Sequence, residues 1–213
     1  MRHIIWAVAA LFIATTANAG VTIKVKGALS DADFYKAVSC GAAPGKACAE
    51  DSYRWSKSKA ARLTVSLHFP DGISTNIKNA FINALSNGIQ QVNGAGSGVK
   101  MSRLADGKRA DIIINVIDPA SMELLNGLAA GDFIAHSIIS GSPIKKGQVS
   151  VNQNVSGREL QSIILSNLMS SLGFLNNVDG GPYTNNSVLA GHSNAQTRLA
   201  GQDVIALRTH YPK

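Results

Sequence analysis

The chain has 213 residues and is basic, with a formal net charge of +7. Its lysines and arginines are dispersed and do not form one block, which argues against a dedicated nucleic-acid surface. The sequence has no internal repeat and no low-complexity tail, and its length suits one domain with a sizeable core.

The N-terminus has the pattern of a cleavable secretory signal peptide. A basic start is followed by an uncharged apolar run over Ile4–Ile13, too short for a bilayer span of about 20 residues. Ala17 and Ala19 form an A-x-A motif, which predicts cleavage after Ala19. Removing residues 1–19, with Arg2 among them, leaves 213 − 19 = 194 residues and a net charge of +6. We expect a periplasmic or secreted protein; an uncleaved anchor or a buried N-terminal helix is the alternative.

The two cysteines, Cys40 and Cys48, lie close together in sequence. In an oxidising compartment such a pair is expected to form a disulfide. Closing so short a loop would stabilise the fold by about 2–3 kcal/mol on the chain-entropy model. A zinc pair is disfavoured because no histidine or further cysteine lies nearby in sequence.

The densest basic stretch is Arg54, Lys57, Lys59 and Arg62, and its only interleaved aromatic residue is Trp55. The pattern fits either a nucleic-acid contact or a solvated strand edge, and we favour the strand edge. The positive charge of the mature chain favours an acidic partner, such as an anionic glycan, lipid headgroups or an acidic protein.

The first half of the mature chain predicts two strands and two helices. Residues 21–26 alternate as a strand, and residues 31–39 follow helical spacing. Alternation over Arg62–Phe69 predicts a strand with Ser66 and His68 on its solvent side. The longest helical pattern begins after the expected N-cap Ser74 and runs to residue 92.

The second half predicts three strands and three helices. The apolar run over Asp111–Ile117 is typical of a central strand buried on both faces. A short helix over 121–128 separates it from strands at 133–139 and 148–151.

Ser156 and Glu159 form a capping box that opens a helix ending at Gly173. A long loop over 176–194 precedes a last helix over 201–211. The order of these elements predicts an α/β (α+β) domain with a mixed sheet.

The helix that ends at Gly173 resembles the active-site helix of zinc metalloproteases, H-E-x-x-H-x-L-G, with Leu172 and Gly173 at its last two positions. The earlier helix over 74–92 and the strands over 111–117 and 148–151 resemble the metzincin order. The resemblance implies a zincin-like mixed sheet with a long N-terminal helix and a degenerate active-site helix.

The chain is also similar to a family of uncharacterised bacterial exported proteins over about Tyr53 to Lys213. The matching segments are Arg54-Trp55, Leu172-Gly173-Phe174, Asn176-Asn177, Ser187-Val188-Leu189, Asp203 and Leu207-Arg208-Thr209-His210-Tyr211. This resemblance implies an N-terminal segment with a disulfide loop at 20–52 and a zincin-like domain at 53–213, and it brings no established activity.

The residues of the zinc chemistry are absent. Zincins place two imidazoles at i and i+4 with a glutamate beside the first. Here the histidine positions hold Ser166 and Ser170, and the glutamate position holds Asn167. Serine hydroxyls are poor zinc ligands at neutral pH, and asparagine cannot take up a proton. We therefore expect neither metal nor cofactor.

Other catalytic arrangements are weaker. A nucleophilic serine needs a hydrogen-bonded base and an oxyanion hole, and it usually sits at a strained turn, unlike Ser166, Ser170 and Ser171 in mid-helix. No two of the remaining histidines have ligand spacing, although His192 lies in the loop where metzincins often bring a third ligand. These histidines are His68, His136, His192 and His210.

The sequence favours an exported, non-catalytic zincin-like protein that binds a protein or an envelope component through a remnant cleft or the loop over 176–194. The alternative is a hydrolase with a relocated, non-zinc site built from Ser166, Asn167, Ser170 and His192. A third possibility is a structural protein of the envelope without a discrete ligand.

Overall fold

The computed structural model of the chain describes residues 20–49, 51–119, 135–191 and 196–213, with only the backbone described at 135–138. The expected signal peptide, the predicted helix over 121–128 and His192 lie outside this part. The elements are β1 (Thr22–Lys24), α1 (Asp31–Cys40), α2 (Lys57–Ala60), β2 (Leu63–His68), α3 (Thr75–Gly94), β3 (Met101–Arg103), β4 (Ile112–Ile117), β5 (Ala135–Ser140), β6 (Lys146–Asn152), α4 (Gly157–Ser171), β7 (Asn177–Asp179) and α5 (Gly201–His210).

A five-stranded mixed sheet in the order β3-β2-β4-β6-β5 organises the fold and confirms the predicted α/β class. The edge strand β5 is antiparallel to β6, and the other pairings are parallel. At the start of β4, Asp111 accepts hydrogen bonds from the backbone N–H (2.9 Å) and hydroxyl (2.8 Å) of Thr64 and pairs with Lys59 at 2.5 Å. These contacts tie β4 to β2 and to α2.

The central strand β4 is fully buried on one face only. Ile112, Ile114 and Val116 are buried, and the residues between them are half-buried, so the prediction of two buried faces was wrong. The reverse holds in β2, where Ser66 was expected toward solvent but is fully buried. His68 is half-buried, with Nε2 3.2 Å from the carbonyl of Lys108.

Helices α3 and α4 pack against each other and against the sheet. Ser74 caps α3 as predicted, because its hydroxyl accepts the N–H of Ile77 at 3.3 Å. A Cβ on Gly88 would lie 2.8 Å from Cδ1 of Leu168, so glycine is what allows the two helices to approach closely. The long helix is the third helix of the described residues, and its predicted N-terminal place is not confirmed.

The N-terminal segment packs onto the end of the chain. Strand β1 pairs in parallel with β7, and α1 contacts α5. The predicted disulfide is present, with the Cα atoms of Cys40 and Cys48 5.7 Å apart. The prediction of a solvated strand edge at the basic stretch was wrong: residues 57–60 form α2, and Trp55 is buried, with 2% exposed.

No helix in the described ranges is long and apolar enough to cross a membrane.

Candidate functional site

Helix α4 carries the residues that the zinc-protease pattern singles out. It begins after Ser156 as predicted, but the Ser156 hydroxyl makes no capping hydrogen bond, so the predicted capping box is not formed. The first residue of the helix is Gly157, whose φ is +56°. The buried face comprises Leu160, Ser162, Ile164, Leu165, Leu168, Met169 and Ser171.

The three pattern positions are half-buried beside this face, and two of their side chains hydrogen-bond within the same helix. The amide of Asn167 donates to the carbonyl of Ile163 at 2.8 Å, and the hydroxyl of Ser170 donates to the carbonyl of Ser166 at 3.2 Å. Both are i to i−4 bonds, in which a side chain binds the preceding turn. Within the described ranges, no hydrogen bond joins these three side chains to another element.

A zinc ion does not suit this set of donors. Two hydroxyls and an amide replace the two imidazoles and the carboxylate that the pattern requires. In the part of the chain that the structure describes, no three His, Cys, Asp or Glu side chains are grouped so that they could hold a metal ion. The relocated hydrolase site has three of its members on α4, and its fourth, His192, lies outside the described residues.

The C-terminal end of α4 is held by donors from two distant segments. The indole N–H of Trp55 donates to the carbonyl of Ser171 at 2.9 Å, and the hydroxyl of Tyr211 donates to the carbonyl of Leu172 at 2.7 Å. The backbone N–H of Trp55 donates in turn to the Tyr211 hydroxyl at 3.0 Å. These bonds satisfy buried carbonyls that a helix leaves without partners at its end. We call Trp55, Tyr211 and Gly173 the helix-end cluster.

Gly173 in this cluster cannot be replaced by a larger residue without movement of the chain. Its φ of +101° is unfavourable for residues that have a Cβ. A Cβ built there would lie 1.9 Å from the carbonyl oxygen of Tyr53. The predicted helix stop at Gly173 is confirmed, and its glycine also makes room for the segment that carries Trp55.

His210, the last residue of α5, is buried beside the helix-end cluster. Its Nε2 lies 2.8 Å from the carbonyl of Tyr53, and its Nδ1 lies 3.1 Å from the hydroxyl of Tyr35. Because a carbonyl only accepts, Nε2 carries the proton, and Nδ1 accepts from Tyr35. Arg54 donates to the same hydroxyl at 3.2 Å. Burial lowers the pKa of His210 from 6.5 to about 4, so the ring is neutral at physiological pH.

Asp203, near the start of α5, is the second buried titratable group. Its carboxylate accepts from the hydroxyl of Ser187 at 2.6 Å and from the N–H of Val188 at 3.0 Å. Burial raises the pKa of Asp203 from 3.8 to about 6 despite these bonds. The carboxylate fastens the loop after β7 to α5, so its role is structural.

Two surface pockets lie away from the pattern positions on α4. The first has a volume of about 430 Å³ and is lined by residues of the segment 51–57 and by Ser142 and Pro143. We call it the basic pocket because Arg54 and Lys57 line it. The second has a volume of about 400 Å³ and lies between residues 28–29, the loop over 182–187 and the start of α5.

No family model matches the chain, and no curated protein matches it either. The zincin and exported-family resemblances therefore rest on the motifs themselves and stay predictions.

The sequence indicated some of these residues without their roles. Arg54-Trp55 and the segment ending at Tyr211 were noted as family motifs, but nothing in the sequence pairs them with each other or with α4. The bonds span 156 residues between Trp55 and Tyr211 and 175 between Tyr35 and His210. The tryptophan inside the basic stretch was the one local signal that this segment packs against the core, because an exposed basic stretch does not require a large aromatic side chain.

Tyr211→Phe tests the helix-end cluster. The substitution removes the partner of the Leu172 carbonyl and of the Trp55 N–H, and both groups are buried. We expect a loss of about 2–4 kcal/mol in the free energy of unfolding, measured by urea denaturation. The control is Tyr53→Phe, which removes a hydroxyl that has no hydrogen bond within the described part and should cost under about 0.5 kcal/mol. Equal losses in the two variants would contradict the assignment.

Two of the buried titratable groups, His210 and Asp203, predict opposite pH dependences. Wild-type stability that depends on neutral His210 is lost as the pH falls from 6.5 through 4, whereas stability from protonated Asp203 is gained as the pH falls from 6 through 3.8. Each effect amounts to at most about 3 kcal/mol. The free energy of unfolding of each variant would be compared with wild type by urea denaturation between pH 7 and pH 4. As the pH falls, the stability deficit of His210→Asn should shrink, and the deficit of Asp203→Asn should widen. Stability deficits that do not change with pH would contradict the pKa shifts that burial gives to His210 and Asp203.

Proposed function

We propose that the chain is an exported, non-catalytic protein that uses a zincin-like scaffold to bind a protein or an acidic component of the cell envelope. The observation that carries the proposal is the state of α4. Its packing face and its C-terminal end are fully engaged, but the positions for zinc and base hold Ser166, Asn167 and Ser170, two of which donate to carbonyls of the same helix.

The order of elements supports a zincin-like scaffold. The long helix α3 is followed by β4, by β6 and then by α4, as the resemblance to metzincins implies. The antiparallel strand β5 lies at the edge of the sheet. An edge strand can accept an extended segment by strand addition, which is the mode of binding expected of a cleft that has lost hydrolysis.

Export is supported by two independent features. The first is the signal-peptide pattern of residues 1–19, with its A-x-A motif before Gly20. The second is the Cys40–Cys48 disulfide, a bond typical of oxidising compartments. Together they support a periplasmic or secreted location, where the basic surface would meet anionic envelope components.

The hydrolase alternative gains no support from α4. The hydroxyl of Ser170 is directed to the preceding turn of its helix, and a serine nucleophile needs a base at hydrogen-bond distance. Neither of the two pockets is lined by Ser166, Asn167 or Ser170.

The proposal is tested by measuring binding and hydrolysis on the same protein. Immobilised oxidised protein should retain a component of a bacterial envelope extract in a saturable, salt-sensitive way, because the expected partner is acidic. The retained component should bind again after purification. Ser166→Ala/Ser170→Ala should retain it equally, since binding does not depend on these hydroxyls, and neither protein should cleave broad peptide or ester substrates.

Two results would contradict the proposal. One is hydrolysis by the wild type that the double variant lacks, which would establish the hydrolase. The other is the absence of any saturable retention from envelope extracts by a protein that is folded and oxidised.

A further inference from the structure

The basic pocket is built from two chain segments that are fixed to each other. The backbone N–H of Ile144 donates to the carbonyl of Arg54 at 2.9 Å, which joins the β5–β6 turn to the segment that carries the lining residues. Trp55 anchors this segment to α4 through the helix-end cluster. The pocket therefore has walls that are held in place before any ligand arrives, which lowers the entropic cost of binding.

The lining carries cationic groups that remain available for a ligand. Arg54 uses one nitrogen, Nη2, to donate to the hydroxyls of Ser52 (3.1 Å) and Tyr35 (3.2 Å), so its other N–H groups are left for a ligand. The side chain of Lys57 is exposed, and its ammonium group has no hydrogen bond or ion pair with any described residue. Among the described residues of the lining, Asp51 is the carboxylate that stands against these two cations.

Three other basic side chains in the described ranges form ion pairs. Lys36 pairs with Asp33 at 3.1 Å, Lys59 pairs with Asp111 at 2.5 Å, and Arg103 pairs with Asp106. Lys59, the near neighbour of Lys57 in α2, is thus compensated by a carboxylate. Within the described residues, neither Arg54 nor Lys57 has such an ion pair.

In the second pocket, the polar groups of Tyr183, Gln202 and Asp203 are already hydrogen-bonded within the protein and are not left for a ligand. The hydroxyl of Tyr183 accepts from the N–H of Leu29 and donates to Gln202, and the amide of Gln202 donates back to the carbonyl of Leu29. The Asp203 carboxylate is taken by Ser187 and Val188. Its polar groups are thus paired within the protein.

The remaining lining of the basic pocket favours a sugar over a lipid surface. Ser52, Ser56 and Ser142 supply hydroxyls. The volume of about 430 Å³ lies in the range of small-molecule sites. Within the described residues, the exposed large apolar side chains are Val21 and Ile205, and neither lines the pocket. A membrane-inserting surface would need such side chains around the charges.

We propose that the basic pocket binds an acidic sugar unit of an envelope glycan. Arg54 and Lys57 bind its carboxylate or phosphate by charge-assisted hydrogen bonds, and the serine hydroxyls bind its hydroxyl groups. This inference rests on the proposed binding function and names the class of ligand for it.

The test is an NMR titration of the oxidised, isotope-labelled protein with D-glucuronate, glucose 6-phosphate and glucose. Both acidic sugars should shift the indole N–H signal of Trp55 and the amide signals of residues 52–57. Glucose should bind roughly tenfold or more weakly, because it lacks the charged group. Comparison of the two acids distinguishes a carboxylate from a phosphate source, and binding of either supports the inference.

Two charge-matched variants sharpen the test. Lys57→Gln should weaken binding of the acidic sugars roughly tenfold. Arg109→Gln removes one positive charge at an exposed position outside the pocket and should leave binding unchanged. The Lys57 side chain forms no hydrogen bond or ion pair with a described residue, so thermal unfolding should be the same for both variants. Arg54→Lys, which keeps the charge but loses the planar fork, should weaken binding as well.

Three results would overturn the inference: glucose binding as well as the acidic sugars, signal shifts confined to other surfaces, or equal affinities in Lys57→Gln and Arg109→Gln. Binding to vesicles of anionic phospholipid that requires Lys57, without sugar binding, would replace the glycan by a membrane and also overturn it. If the sugars fail while an envelope component is still retained by the immobilised protein, this inference falls and the proposed binding function stands.

Discussion

Two buried carbonyls at the C-terminal end of α4 need hydrogen-bond donors, and the arrangement of much of the chain depends on how they obtain them. Trp55 and Tyr211 supply the donors from segments more than a hundred residues apart. Leaving either carbonyl without a partner in the core would cost about 1–3 kcal/mol. This requirement fixes the segment before β2 and the end of α5 against one point, with Gly173 providing the space between them.

The same cluster holds α4 in place through contacts that do not require a metal. In a zincin the metal would link the active-site helix to other parts of the chain through its ligands. Here three features link α4 to the rest of the chain: its apolar face, its close approaches to Gly88 and Gly147, and the helix-end cluster. None of these contacts involves Ser166, Asn167 or Ser170. The packing of α4 and the identity of those three side chains are thus separable, as the proposed non-catalytic function requires.

Local patterns predicted most of the fold because they report local physics. The period of apolar residues located α3 and α4, Ser74 capped α3, and Gly173 ended α4 as expected. Long-range contacts overrode the pattern elsewhere. Trp55 is buried because the end of α4 needs its indole N–H, which a basic stretch does not reveal. The candidate positions on α4 came from the motif, but the basic pocket combines residues about 90 positions apart, such as Ser52 and Ser142, and no sequence pattern joins them.

The claim that α4 has kept its scaffold and lost its zinc chemistry is tested most directly by the metal content of the protein. Oxidised wild type and Ser166→Ala/Ser170→Ala would each be incubated with one equivalent of zinc, desalted and analysed by mass spectrometry for bound metal. The account predicts that neither protein retains stoichiometric zinc, because two hydroxyls and an amide are poor ligands at neutral pH. One zinc ion retained per wild-type chain and lost in the double variant would contradict it.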